Sequence, residues 1–149
     1  MSSDEVVSLL KQAYSDEIET VTNYMANAIY LSTFHGEQVA KELKEDIEEE
    51  LEHAEELGYR LRYYGETPPG SMDLDAVQES LQPPSEPSDV LSVIEGVIDA
   101  EQDAIETYEA LIEAADEADD YVTEDLAVEL LEEEQRHEAQ FVSYKQQFK

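Results

Sequence analysis

The 149-residue sequence contains no cysteine and only eight basic residues. Without cysteine, the chain forms neither disulfides nor thiolate metal sites. Eight Lys and Arg against 39 Asp and Glu argue against nucleic-acid binding, which depends on cationic side chains that neutralise phosphates. No apolar run approaches the length of about 18 residues that a membrane span needs, and the polar start MSSDEVV is unlike a signal peptide. These absences predict a cytoplasmic protein that binds neither nucleic acid nor membrane.

The excess of acidic residues gives the chain a formal net charge of −31. Self-repulsion on this scale opposes a compact state at low salt. Disorder is nevertheless not expected, because 41% of the residues are apolar and they recur with a regular period. We interpret the acidic excess as a solvated surface suited to high intracellular salt, where charges are screened over a few ångströms. A surface that attracts cations is the alternative, and the two interpretations are compatible.

Apolar residues recur at steps of three and four in four segments, which predicts helices at about residues 3–33, 37–64, 88–117 and 123–148. No segment alternates with period two for long enough to predict a strand. His35-Gly36 is a candidate tight join between the first two helices, while Ser88 and Thr123 are candidate N-caps for the last two.

All five prolines fall in residues 65–87, between the second and third helices. This segment is long enough to run the length of a bundle, with one helical turn expected near Ala76 to Leu81. We therefore predict a single all-α domain over residues 1–149, a four-helix bundle of two antiparallel hairpins joined by a long crossover.

Acidic and imidazole side chains interrupt the apolar face of every predicted helix. A buried carboxylate costs several kcal/mol unless it is paired or bound to a cation, so these interruptions need a common explanation. The residues that occupy core positions in place of apolar ones are Glu17, Glu50, His53, Glu101, Glu134 and His137.

These residues follow an internal repeat, in which 33 positions separate Glu17 from Glu50 and Glu101 from Glu134. Each half offers a Glu from one helix and a Glu-x-x-His from the next, and residues i and i+3 share a helix face. Four carboxylates and two imidazoles in a bundle are the ligands of a di-iron or di-manganese centre. The alternative is that both motifs are surface ion pairs, accidents of an acidic sequence. An offset of 84 takes Glu17, Tyr24, Glu50 and His53 to Glu101, Tyr108, Glu134 and His137.

Three segments resemble bacterioferritins and their Dps-like relatives, a branch of the ferritin-like di-iron carboxylate superfamily. They are AYSDEIETVTNYM at residues 13–25, EEELEHAEEL at 48–57 and DDYVTEDLAVELLEEEQRHEAQF at 119–141. The resemblance implies a ferritin-like fold and a ferroxidase that binds two Fe(II) and oxidises them with O2 or H2O2 for iron storage or detoxification. Manganese or zinc are possible substitutes for iron. It also implies a homo-oligomer built from dimers.

The resemblance also implies a role for each site residue. Glu17 and Glu101 correspond to terminal carboxylates, Glu50 and Glu134 to bridging carboxylates, and His53 and His137 to the nitrogen ligands. Tyr24 corresponds to a family tyrosine beside the centre that supplies an electron. Alternatively, Tyr24 and Tyr108 simply fill the core.

The sequence departs from bacterioferritins at two places. The Met that binds haem in bacterioferritins is Leu51 here, so we expect no haem. The chain stops at Lys149, before the family's fifth helix, which leaves the size of the assembly open.

Two other functions remain as alternatives. A rubrerythrin-like di-iron peroxidase is disfavoured because that family has a further carboxylate at the position of Ala104, together with rubredoxin-type cysteines. A non-catalytic acidic bundle that binds cations would not need Glu17 and Glu101 inside the apolar faces.

Overall fold

The computed structural model describes residues 2–148, which contain four long helices and no strand. The helices are α1 (Ser2–Tyr30), α2 (Phe34–Tyr63), α3 (Val90–Glu117) and α4 (Tyr121–Lys145), with short 3-10 turns at Ser71–Asp73 and Gln146–Phe148. The predicted all-α class is therefore confirmed. None of the helices in the described part of the chain has an apolar stretch that could cross a lipid bilayer.

The four helices form two hairpins that lie side by side. Helix α1 packs against α2 and α3, and α3 packs against α4. Helices α1 and α3 run antiparallel, because Tyr24 of α1 contacts Glu101 whereas Tyr108 of α3 contacts Glu17. Helices α2 and α4 meet through long polar side chains such as Glu49. The predicted bundle of two antiparallel hairpins is confirmed.

The apolar core is divided into two clusters with a polar layer between them. One cluster is built around Leu43, Ile94 and Phe141, and the other around Leu57 and Leu111. On every helix, the residues between the two clusters carry the Glu and His side chains predicted from the repeat. Burial of each large apolar side chain contributes about 1.5–3 kcal/mol, so apolar packing at both ends fixes the helices around the polar layer.

The helices begin at different caps from those predicted. Asp89, rather than Ser88, caps α3 and accepts a hydrogen bond from the Ser92 backbone N–H at 3.2 Å. Asp120 caps α4 and accepts from the Thr123 backbone N–H at 3.1 Å. Thr123 is buried in the first turn of α4 instead of capping it. Both cap predictions were wrong by one to three residues, because several neighbouring polar side chains can serve as caps.

The join between α1 and α2 also differs from the prediction. It lies at residues 31–33, so His35 and Gly36 belong to the first turn of α2. Thr33 adopts a positive φ of 72° and its side-chain oxygen accepts from the Gly36 backbone N–H at 3.1 Å. This local hydrogen bond starts the helix before the glycine that was expected to break it.

The crossover between α2 and α3 is held by α1 rather than by helical structure of its own. Residues 76–81 contain no helical turn, contrary to the prediction. Instead, the Glu19 carboxylate accepts hydrogen bonds from the backbone N–H groups of Val77 and Gln78 at 2.9 and 2.8 Å. The chain then passes so close to α3 that a Cβ on Gly96 would lie 2.3 Å from the Ser80 carbonyl oxygen.

Candidate metal centre

The structure brings all six predicted site residues together in the polar layer. Each is at most 2% exposed. Helix α1 contributes Glu17, α2 contributes Glu50 and His53, α3 contributes Glu101, and α4 contributes Glu134 and His137. Surface ion pairs are excluded as their explanation, because all six side chains lie inside the bundle.

The six side chains form two groups that share two carboxylates. Glu50 and Glu134 belong to both groups; Glu17 and His53 complete one, and Glu101 and His137 complete the other. In each group, one ligand atom per residue lies within 4.8 Å of all the others. Two adjacent cation positions with common carboxylates fit this arrangement, and the pseudo-symmetry of the two hairpins generates it.

Both imidazoles direct the same ring nitrogen into the layer. His53 Nδ1 lies 3.2 Å from a Glu17 oxygen and 3.4 Å from a Glu134 oxygen. His137 Nδ1 lies 3.5 Å from a Glu50 oxygen and 3.6 Å from a Glu134 oxygen. In each case Nδ1 faces the shared carboxylates, so each of the two cation positions would receive one nitrogen, from His53 at one position and from His137 at the other.

Several polar atoms of the layer have no hydrogen-bond partner within residues 2–148. These atoms are the two carboxylate oxygens of Glu50, Oε2 of Glu101, Oε1 of Glu134 and Nδ1 of His137. Buried polar groups are nearly always paired, and clustered carboxylate oxygens with imidazole nitrogens are donors that divalent transition metals accept. The residues present therefore fit a pair of such ions.

The electrostatics of the layer favour bound positive charge. Burial raises the pKa of Glu50 and of Glu134 well above the usual range, and neighbouring carboxylates add to it. Burial alone would lower the pKa of His53, but Glu17 outweighs this effect and raises it to about 9. Likewise, the carboxylates facing His137 outweigh its burial and raise its pKa to about 12. Without a metal, the layer accordingly retains protons that cations would displace.

Two buried tyrosines hold the carboxylates of the opposite hairpin. The Tyr24 hydroxyl donates to Glu101 Oε1 at 2.5 Å, and the Tyr108 hydroxyl donates to Glu17 Oε1 at 3.1 Å. Burial raises the pKa of both hydroxyls well above 10, which keeps them neutral donors. Both side chains fill the core, and each also orients a carboxylate that belongs to only one of the two groups.

Three acidic residues at the layer were not among the six predicted ligands. Asp46, Glu49 and His137 form a further group of ligand atoms on the α2–α4 side, and Glu133 contacts His53 there. Asp46 is 2% exposed, and burial raises its pKa to about 8. The repeat offered a signal for two of them, because Glu49 and Glu133 are 84 positions apart, each directly before a shared carboxylate.

The sequence and fold relate the chain to known proteins. The profile of the family described as ferritin-like domain matches residues 7–149. The chain belongs to the ferritin-like domain family. No curated protein matches the sequence.

Two solved structures of ferritin-like proteins share the architecture. A ferritin-like diiron-carboxylate protein from Bacillus anthracis has a TM-score of 0.85 at 19% identity, over 97% of this chain and 98% of that chain. Dps from Staphylococcus aureus has a TM-score of 0.85 at 21% identity, over 94% of each chain. At these identities the likeness concerns the fold, and with the family match it confirms the predicted ferritin-like relationship. This ferritin-like chain carries a buried Glu/His cluster compatible with a metal site.

Proposed function

We propose that this protein is a ferroxidase, which binds two Fe(II) as substrate in the polar layer and oxidises them with O2 or H2O2 for iron storage or detoxification. The observation that carries the proposal is the pair of ligand groups that share Glu50 and Glu134. Coupled oxidation of two ions needs them close together, and shared carboxylates provide that proximity. Assembly into a homo-oligomer built from dimers stays a prediction.

The proposed roles follow from group membership. Glu50 and Glu134 would bridge the two ions because they belong to both groups, whereas Glu17 and Glu101 would each bind one ion. His53 and His137 would each give one ion a nitrogen through Nδ1. When ionised, the four carboxylates carry four negative charges, which balance the charges of two Fe(II) and reduce the cost of burying either.

The redox balance requires an oxidant and protons. Two Fe(II) give up two electrons, which with two protons reduce O2 to H2O2, or reduce H2O2 to two molecules of water. The two Fe(II) would supply the electrons, while the protein would hold them in the polar layer and the apolar clusters on either side would limit access of water. Tyr24, at hydrogen-bond distance from Glu101, is the proposed one-electron donor that would replace one of the two iron electrons, releasing its hydroxyl proton as one of the two protons consumed.

An anaerobic Fe(II) titration followed by addition of oxidant tests the proposal. We expect two equivalents per chain and fast oxidation by at least one of O2 and H2O2. Glu134→Gln should impair both positions and slow oxidation at least tenfold, whereas His137→Ala should weaken one position. Glu132→Gln is the matched control, because Glu132 is exposed and lies two residues before Glu134 on the same helix. Uptake of two cations without accelerated oxidation would instead support the non-catalytic bundle.

Apo-protein stability separates a functional carboxylate from a structural one. In the absence of metal, burial and the neighbouring buried carboxylates raise the pKa of Glu134, so a neutral replacement removes the cost of keeping either a charge or an extra proton there. We expect Glu134→Gln to unfold in urea at an equal or higher midpoint than the wild type. Slower oxidation together with a clearly lower midpoint would indicate that Glu134 supports the fold.

A further inference from the structure

The outward-facing nitrogens of the two imidazoles each contact a carboxylate from the opposite helix. His137 Nε2 on α4 lies 2.7 Å from Glu49 Oε2 on α2. His53 Nε2 on α2 lies 3.2 Å from Glu133 Oε2 on α4. The two contacts are related by the internal repeat, because Glu49 and Glu133 occupy equivalent positions in the two halves. A contact of the same kind in both halves indicates a common role.

Arg136 connects these two carboxylates. Its Nη2 lies 3.0 Å from Glu49 Oε1 and 3.8 Å from Glu133 Oε1. Each carboxylate therefore uses Oε2 for an imidazole and Oε1 for the guanidinium. Contacts run without interruption from one imidazole to the other across the α2–α4 face. Arg136 has no counterpart in the first half, where the equivalent residue is Glu52.

We propose that Glu49 and Glu133 are positioning residues that hold the Nε2–H of His137 and His53, and that Arg136 joins them into one unit. An imidazole that keeps its proton on Nε2 presents the Nδ1 lone pair to a metal. A carboxylate on the outer N–H fixes this tautomer and the ring orientation, and it raises the basicity of the ligating nitrogen. The effect on metal binding rests on the proposed function, whereas the ring contacts belong to the chain itself.

The two halves are not equivalent in this respect. Asp46 Oδ1 also faces His137 Nε2, at 3.7 Å, one ångström further away than Glu49. Among the described residues, Glu133 is the only carboxylate within 4.0 Å of His53 Nε2. We therefore expect His53 to depend on Glu133 more strongly than His137 depends on Glu49, because Asp46 partly replaces Glu49.

NMR of the metal-free protein tests the ring contacts directly. The chain has three histidines, and the exposed His35 serves as an internal reference. In the wild type, we expect slowly exchanging Nε2–H protons from His53 and His137 but not from His35. Glu133→Ala should accelerate exchange at His53 alone, and Glu49→Ala at His137 alone, whereas the exposed-site controls Glu132→Ala and Glu48→Ala leave both unchanged. Equal exchange in the wild type and Glu133→Ala would overturn the proposal.

Titration with Zn(II) tests the consequence for metal binding. Loss of an outer carboxylate typically weakens a histidine-bound metal by about 10- to 100-fold. We expect Glu133→Ala to weaken the His53 position within this range and Glu49→Ala to weaken the His137 position less. The wild type could instead bind a third Zn(II) that Glu49→Ala loses while the His137 position is unchanged. That result would overturn the positioning role of Glu49 and show that it is a ligand of a separate cation site. If the wild type takes up no Zn(II) or Fe(II) but retains the NMR contacts, the proposed function fails and the positioning contacts stand.

Arg136→Gln tests whether the two carboxylates act as one unit. Because Arg136 is half-exposed, its loss should change Zn(II) affinity less than about fivefold. The expected signature is a shift of both the His53 and the His137 ring signals, in contrast to the single shifts of the Glu variants. A response of only one ring, or of neither, would show that Arg136 does not join the halves.

Discussion

Single residues of the polar layer balance buried negative charge with protons or with cations. Burial and neighbouring carboxylates raise the pKa values of Glu50 and Glu134. Facing carboxylates raise the pKa values of the His53 and His137 imidazoles. Protons and divalent ions thus compete for the same atoms. Stability and metal affinity should consequently respond to pH in opposite directions.

We predict that the metal-free protein loses stability as pH rises from about 6.5 to 9. His53 has a pKa of about 9 when folded and an ordinary value of about 6.5 when unfolded, so the folded state binds more protons across this interval. This stabilisation is complete below the pKa of His53 in the unfolded state and is lost as pH rises through its pKa in the folded state. The loss is on the order of 2 kcal/mol. Urea unfolding at several pH values in 1 M salt measures this slope, which is the change in the free energy of unfolding with pH.

Two variants test the contribution of His53 to this slope. His53→Gln should make the slope less steep without abolishing it, because the folded state also raises the pKa of His137, to about 12. The exposed-site control His35→Gln should leave the slope unchanged. The Zn(II)-loaded protein should gain stability over the same interval, because fewer protons compete with the metal. A slope that is equal in the wild type and His53→Gln would show that His53 does not contribute to the pH response.

We also predict a protein without haem. Leu51 occupies the position of the haem-binding Met in bacterioferritins, and it is 48% exposed on α2 with an aliphatic side chain that cannot bind iron. The absorption spectrum of the purified protein should lack a Soret band, also after incubation with hemin and gel filtration. A stoichiometric Soret band after this treatment would place a haem ligand elsewhere on the chain.

At the scale of helices and connections, the sequence predicted most where a pattern repeats. The apolar period located four helices, and the 84-residue offset gathered the six side chains that the structure places in one layer, although their roles as ligands stay predictions. Caps and joins were predicted poorly, because Ser88 and Asp89 both carry side-chain oxygens that can cap a helix, and the sequence pattern does not choose between them. The path of the crossover depends on Glu19 of α1, a contact that no local pattern reveals.

The crossover leads to a prediction about two glycines. Gly96→Ala places a methyl group 2.3 Å from the Ser80 carbonyl oxygen, so the crossover must move away from α3. We expect a loss of about 1–3 kcal/mol, as in other overpacked cores. Gly58→Ala is the matched control, because its methyl group would meet the Tyr14 ring at 3.4 Å and the helix gains up to about 1 kcal/mol in propensity. Equal unfolding midpoints for the two variants would contradict a tight crossover.

At the scale of the whole molecule, the chain combines an ordinary apolar core with an extreme surface charge. The core comprises two clusters on either side of the polar layer, while a net charge of −31 is spread over a domain of 149 residues. Bound cations in the layer would offset at most four of these charges. Water and dissolved cations must screen the remaining negative charges.

The surface charge predicts that added salt stabilises the fold. Charges that repel one another over about 10 Å at 0.1 M salt interact over only about 3 Å at 1 M, so screening relieves repulsion in the compact state more than in the expanded one. We expect the melting temperature of the metal-free protein to rise between low salt and 1–2 M, similarly in KCl and NaCl. Specific cation sites would instead respond differently to the two ions.

A charge-reduced variant separates screening from a general effect of salt on apolar burial. Concentrated salts that are excluded from protein surfaces also strengthen burial, and this contribution is independent of surface charge. Replacing the exposed Glu48 and Glu132 with Gln lowers the net charge while leaving the core intact. The variant should melt higher than the wild type at low salt, and the difference should vanish in 1–2 M salt. A melting temperature indifferent to salt would remove the interpretation of this surface as one suited to high intracellular salt.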